Sequence, residues 1–276
     1  QVMQIPELAQ SLDNANIFID IIDFDACLMQ MIEVAWEIGE GMSFPPNYLI
    51  ASEATGWTPV LPYDDFLAQL TGNPDIEQSV ICETIVNGYI NNLSGYSGTM
   101  SALDLNSFLN NSLDIINNFA NALISSMYQN EISNARLTTQ NYFYSSGYRC
   151  KDIYDFAERI KSSVPDCQSE AQAIMDLITN IIIAEGHTGS DMGNSHGLSI
   201  YIPDNAGEYD SDYDFLQFAT DTQWDEFLLC TPIVPPTVTT LPADSITTTS
   251  ARLWGSIDTT GGEEPFDASF EIRLKS

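Results

Sequence analysis

Residues 16–24 restrict the fold more than any other part of this 276-residue chain. Ile17, Phe18, Ile19, Ile21, Ile22 and Phe24 crowd the stretch without regular alternation. A nearly continuous apolar run of this length reads as a central strand covered on both faces, as in a parallel sheet. Directly after it, Leu28, Met31, Ile32, Ala35 and Ile38 recur at helical spacing, so the expected unit is a strand feeding a helix. The rest of the first 230 residues continues that alternation. A short helix over 6–12 precedes the strand. A second strand is expected over 48–52, and helices over 62–70, with Pro62 at the start, and 74–93. A strand over 100–103 leads into a long helix over 105–127. Helices over 152–160 and 169–184, a strand over 197–202 ended by Pro203, and short helical pieces over 213–219 and 223–229 follow. Strands interleaved with helices argue for an α/β layered fold.

After residue 230 the composition changes. Pro232-Ile-Val-Pro-Pro236 reads as a stiff linker. Alternating Thr/Ser-rich segments over 237–241 and 251–257 follow, then a turn at Thr259-Thr-Gly-Gly262 and a last segment over 270–274. This pattern is the start of a β-sandwich module, truncated, because such a domain needs roughly 100 residues. Two domains are therefore expected, 1–230 and 231–276.

Charge and composition narrow the function classes. The chain has 39 acidic against 8 basic residues, a formal net charge of −31. Phosphate binding needs a basic footprint, so nucleic acid is not an expected partner. The acidity reads either as a solvated, self-repelling surface or as attraction for basic substrates or Ca²⁺. No EF-hand loop supports a defined calcium site, and the run over 208–214 reads as a solvated loop before it reads as an ion site. No stretch approaches the ~20 apolar residues of a membrane span; the densest, 178–184, is interrupted by Thr179 and Asn180. The chain opens at Gln1 without a charged and apolar leader, which suggests an upstream segment. Few lysines, many Ser, Thr and Asn, and sequons at Asn92 and Asn110 lean extracellular. Five cysteines show no metal-ligand spacing. Cys82 reads as a buried, inert thiol, and Cys150 with Cys167 as a bridge in an oxidising compartment.

The segment Ile21-Ile-Asp-Phe-Asp-Ala-Cys-Leu-Met29 carries the chemistry. A thiol at the carboxyl end of a buried strand stands where parallel sheets build their sites. The positive end of the next helix would favour its thiolate. On spacing alone a buried structural cysteine is the simpler reading.

Asp25-Ala-Cys-Leu-Met29, followed by Ile32-Glu-Val-Ala-Trp-Glu-Ile38, resembles the nucleophile segment of clostripain-type peptidases. These belong to the caspase-like cysteine peptidases, with gingipains, separases and legumains. The resemblance continues in order through Ser52-Glu53, Gly56-Trp57, Ser145-Ser-Gly-Tyr148 and Ile153-Tyr-Asp-Phe-Ala157. It then reaches Gly197-Leu-Ser-Ile-Tyr-Ile-Pro203 and Trp224-Asp-Glu-Phe-Leu228, and so covers about residues 1–230. It implies a caspase-like α/β/α sheet whose earliest strands are missing from this chain. It also implies Cys27 as the nucleophile of an acyl-enzyme mechanism. Asp25, at alternate spacing from Cys27, is then the acid facing a basic P1 side chain, or else the cap of the following helix. Glu53 and Trp57 line the cleft, or are a surface acid and a rim aromatic; Asp64 and Asp65 reinforce a helix N-terminus.

One feature departs from the family, whose catalytic histidine precedes its cysteine. No histidine stands before Cys27, and His187 and His196 read as solvated loop side chains. The base is then expected on an N-terminal, His-bearing chain of the same precursor. The function expected is a secreted or cell-surface endopeptidase acting after Arg or Lys. The alternative is a non-catalytic extracellular or fibre-forming protein that reuses the scaffold and self-assembles through its β-module.

Overall fold

A computed structural model describes residues 4–57, 60–142, 149–230 and 237–259. The chain divides into two compact units, Gln1–Cys230 and Thr231–Ser276.

In the first unit, helix α1 (Ile5–Asn14) carries Pro6 in its first turn, and the Gln4 amide donates to the Glu7 carboxylate at 3.1 Å. Strand β1 (Ile21–Asp23) pairs parallel with β2 (Tyr48–Ala51), with Ile22 opposite Leu49. Helix α2 (Ile32–Gly41) joins the two. Helices α3 (Tyr63–Gly72) and α4 (Gln78–Asn92) lead to β3 (Gly98–Asp104), which runs antiparallel to β2. Helix α5 (Leu105–Ser125) starts at once, because the Asp104 carboxylate accepts from the Ser107 amide at 2.8 Å. Then come α6 (Gln129–Thr138), β4 (Cys150–Asp152), α7 (Ile153–Ser163) and α8 (Gln168–Ile181). Strand β5 (Ile182–Thr188) follows without a break and pairs antiparallel with β3; β6 (Ser199–Tyr201) pairs antiparallel with β4. Short helices α9 (Gln217–Asp221) and α10 (Trp224–Leu229) close the unit.

The main sheet has the order β1-β2-β3-β5, and a parallel bridge between Met31 and Ser199 leads to the β4–β6 pair. Strand side chains alternate between two cores. Leu49 and Leu103 join the core built from α1, α2, α5, α7, α8 and α10, while Ile50, Met100 and Ala102 join the core under α4. The sheet is therefore covered on both faces, an α/β/α arrangement. The larger core is held by aromatic pairs, with Phe119 at 5.9 Å from Phe156 and 6.3 Å from Trp224, ring to ring.

Several expectations are corrected. β1 is short and lies at the edge of the described sheet rather than at its centre. Ile17 and Phe18 are exposed, Phe18 by 81%, and Phe18 packs only on Phe44 at 5.1 Å. The sheet is mixed, with β1–β2 its one parallel pair among the described residues. The helix expected over 169–184 ends at Ile181, where three consecutive β-branched residues, Ile181 to Ile183, turn the chain into β5. Cys150 lies in a strand, and neither Cys150 nor Cys167 is bridged. The Cys150 sulfur packs at 3.6 Å from Met31 Sδ, and burial pushes both thiols up to about 12. Cys82 is buried and inert as expected, its thiol also raised to about 12 by burial.

In the second unit, strands β7 (Thr237–Asp244) and β8 (Arg252–Thr259) form one antiparallel hairpin. Among the described residues no second sheet closes over it, so the expected β-sandwich is not formed there. Leu241, Leu253 and Trp254 remain exposed as a result. The linker over 232–236 and the segment over 270–274 lie outside the described residues.

Phe119→Ala should cost about 3–5 kcal/mol of unfolding free energy, read as a lower denaturation midpoint in urea, because its two aromatic neighbours, Phe156 and Trp224, cannot collapse into the void.

Candidate active site

The β1–β2 pairing continues past both strands and fixes the loop that follows β1. Phe24 N donates to Ile50 O at 2.9 Å, Leu28 N to Ala54 O at 3.0 Å, and Gln30 N to Ser52 O at 3.2 Å. Ser199 N in turn donates to Gln30 O at 3.0 Å. Between these anchors Leu28 adopts a φ of 59°, left-handed for a branched residue, at a cost of about 1–2 kcal/mol. The flanking hydrogen bonds and the packing of Leu28 against Ala54, Tyr142 and Met192 sustain that conformation. The turn lifts Cys27 to the surface. Its sulfur accepts from Gly56 N at 3.2 Å.

This loop corrects two expectations. Helix α2 starts only at Ile32, after the extended Met31, so Cys27 does not abut a helix N-terminus. Asp25 likewise caps no helix. It is exposed, and its Oδ2 accepts from Tyr63 OH of α3 at 3.1 Å. Asp23, two residues earlier, ends β1. Burial, then the charge of Asp25, raises its carboxyl to about 7, and Asp23 Oδ1 has no hydrogen-bond partner. The Tyr63 hydroxyl is raised by burial and by the Asp25 hydrogen bond, with a further contribution from Asp23. Asp23, Asp25 and Tyr63 thus interact at the end of β1, just before Cys27 in the chain.

Trp57 follows Gly56 directly and is half-buried. Its amide donates to Tyr89 OH at 3.0 Å, its indole N–H to Ser97 O at 2.8 Å, and its ring lies 4.7 Å from that of Tyr96. Glu53 is placed differently. It is 1% exposed, and Tyr142 OH and Gly197 N lie 3.0 and 3.2 Å from its carboxyl oxygens. That puts Glu53 behind the loop rather than on an open wall. Asp64 and Asp65 stand in the first turn of α3, as expected.

The two histidines only partly fit a solvated loop: His187 is exposed but stands on a strand, and His196 lies in a loop but is half-buried. His187 is in β5, opposite Thr99 of β3. His196 stacks on Tyr154 at 4.2 Å, and its Nδ1 lies 3.2 Å from Asp152 Oδ1. Burial works against the imidazolium, but the hydrogen bond and charge of Asp152 outweigh it and raise the His196 pKa. Among the described residues neither histidine hydrogen-bonds Cys27. Nor is any group of three or more His, Cys, Asp or Glu arranged there to hold a metal ion, and no described helix is long and apolar enough to cross a membrane. Sequence reasoning missed Tyr63, Tyr142 and Asp152 as neighbours of the site. Asp152 signalled only a helix cap, and Tyr142 is 89 positions from Glu53.

The clostripain family profile, peptidase C11, matches residues 1–231. The chain belongs to the clostripain family. It is 26% identical to the clostripain of Hathewaya histolytica, with 71% of this chain and 44% of that protein covered, so it spans under half the length of that relative. The fold resembles a clostripain from Bacteroides thetaiotaomicron solved with the peptide inhibitor BTN-VLTK-AOMK. That match has a TM-score of 0.57 at 17% identity and covers 80% of this chain and 95% of that one. It also resembles a secreted C11 cysteine protease of the same species bound to an irreversible peptide inhibitor. Here the TM-score is 0.58 at 18% identity, covering 82% and 64%. At such identities the likeness establishes the fold, and the caspase-like α/β/α expectation holds.

With only two histidines in the chain, the His196 ring can be followed by proton NMR. Its midpoint should lie above the ordinary value of about 6.5 and fall in Asp152→Asn. Because the folded pKa is raised, the stability this pair contributes is fully present below about 6.5 and lost as pH rises through the folded value.

Proposed function

We propose that this chain is the nucleophile-bearing part of a secreted or cell-surface cysteine endopeptidase that cleaves after Arg or Lys. The observation that carries the reading is the exposed Cys27 thiol on its tethered loop, with Asp25 two residues earlier beside Tyr63. The Cys27 thiolate attacks the scissile carbonyl, the amine leaves, and water hydrolyses the acyl-enzyme. The Gly56 amide donates to the sulfur at 3.2 Å and so helps fix its position. Asp25 pairs with the P1 guanidinium or ammonium, with Tyr63 fixing the carboxylate's orientation. Trp57 forms part of the rim.

The general base is a histidine on an N-terminal chain of the same precursor. Support comes from the absence of a hydrogen bond from either histidine to Cys27 among the described residues, and from the absence of any histidine before it in the sequence. The lysine-ending peptide letters of the inhibitor bound to the Bacteroides clostripain support a basic P1 residue. The related protease described as secreted, with the two sequons, supports extracellular placement.

The test uses the chain expressed with the segment encoded upstream. An arginine-type acyloxymethylketone should label Cys27, and Cys27→Ala should abolish labelling. Asp25→Asn should slow the arginine and lysine probes by roughly 10–100-fold, the worth of one charge-assisted hydrogen bond, and leave a neutral-P1 probe unchanged. Labelling at Cys82 or Cys150 instead would sink the assignment of Cys27. Equal slowing with all probes would return Asp25 to a structural role.

A further inference from the structure

Glu53, Tyr142 and Asp152 come from three separate parts of the chain and are each 1% exposed or less. The Tyr142 hydroxyl lies 3.0 Å from Glu53 Oε1 and 3.1 Å from Asp152 Oδ2. A phenol has one proton and can donate to only one of two carboxylates. If both were ionised, the other would face the phenol's lone pairs across a dry pocket.

Donor counting decides which carboxyl holds the charge. Asp152 Oδ1 receives the Asp155 amide at 2.7 Å and faces His196 Nδ1 at 3.2 Å, while Oδ2 receives the His196 amide at 2.6 Å. Glu53 receives one amide, Gly197 N at 3.2 Å on Oε2, besides its contacts with the Tyr142 hydroxyl and the Asp152 carboxyl. Burial, then the Asp152 charge, holds the Glu53 carboxyl well above the usual range. The self-consistent pattern puts the proton on Glu53 Oε1. Glu53 then donates to Tyr142, Tyr142 donates to Asp152, and the Asp152 charge is shared with His196. The remaining charge in the cluster, Asp155, is paired with Arg159 at 3.0 Å, and Tyr154 covers the imidazole.

The relay ends on the backbone that carries the nucleophile loop. Glu53 N and Ala54 N both donate to Thr99 Oγ1, at 3.0 and 3.2 Å. Ser52 O and Ala54 O receive Gln30 N and Leu28 N, and Gly56 N meets the Cys27 sulfur. Tyr142 also belongs to the small buried cluster, with Ala54 and Met192, against which Leu28 packs, the residue held at positive φ.

We propose that Glu53 is a positioning residue, a protonated acid whose hydrogen bond through Tyr142 to Asp152 locks the backbone of 52–56 and, with it, the Cys27 loop. Its relevance to catalysis rests on Cys27 being the nucleophile, but the relay itself does not. The family resemblance offered Glu53 as a cleft residue, or else a surface acid, whereas its burial and hydrogen bonds suit a buried brace.

Glu53→Gln supplies the test, because an amide can donate to Tyr142 and accept from Gly197 without titrating. Tyr142→Phe removes only the bridging oxygen. Hydrogen exchange on the full chain at pH 6 should show Leu28, Ala54 and Gly56 amides protected in Glu53→Gln to within about twofold of wild type, and about tenfold less protected in Tyr142→Phe. Amides of α5 should be unchanged in both. In urea denaturation, wild-type stability should fall as pH rises through the folded value of Glu53, because the folded state binds a proton that the unfolded state has released. Glu53→Gln should reduce that slope by up to about one proton.

If Glu53→Gln loosens the loop as much as Tyr142→Phe, Glu53 acts through its charge and the proposal fails. It fails equally if the slope is unchanged in Glu53→Gln, or if Tyr142→Phe leaves Leu28 and Gly56 protected. These readouts need no cleavage, so their failure is separable from a failure of Cys27 to take the arginine probe.

Discussion

The parallel hydrogen bonding between β1 and β2 is the constraint on which the site depends. Three strand residues on one side and four on the other make a short ladder, yet the pairing runs on through Phe24, Leu28 and Gln30. That extension turns a flexible connection into a defined loop. A left-handed Leu28 persists because amides on both sides of it are already tied. Its result is an exposed thiol within reach of one backbone N–H, with a carboxylate two residues before it.

The second constraint is charge in a chain with very few cations. Of the eight basic residues, Arg136 and Lys151 are buried. Arg136 lies over the Phe227 ring and donates to the carbonyls of Phe227 and Leu228 at the end of α10. Lys151 donates to Arg136 O and pairs with Asp204 at 2.6 Å. These two cations thus close helix ends and loops, while burial raises the carboxyls of several acids. Burial raises Glu33, in α2, to about 7, as it does Asp23. Carboxyls raised in this way hold protons more tightly folded than unfolded, which makes the stability of the fold depend on pH.

Most long helices were legible because their apolar periodicity and caps agree. α5 is one case, where Asp104 caps a 21-residue amphipathic run. β5 was not, because an apolar stretch over 178–184 satisfies helix and strand alike until a partner strand decides. β4 is three residues, too short for any period to register, whereas β6 falls within the strand expected over 197–202. α6, with its low apolar content, gave no stripe to read. The residues after 230 alternate as strands do, but alternation alone cannot say whether a second sheet covers them.

By itself the sequence determined the layered α/β class, the family and the identity of Cys27 and Asp25 as the residues to examine. All of these are local patterns or ordered local motifs. Only the tertiary structure decided what those residues touch. It moved α2 five residues away from Cys27, gave Asp25 to Tyr63, and withdrew Glu53 into a buried relay with Tyr142, Asp152 and His196. Hydrogen-bond partners such as Asp25 and Tyr63, 38 positions apart, or Glu53 and Tyr142, 89 apart, leave no trace in spacing. They exist only once the sheet has brought the chain ends of β2, β4 and β6 together, and burial then sets which acid keeps its proton.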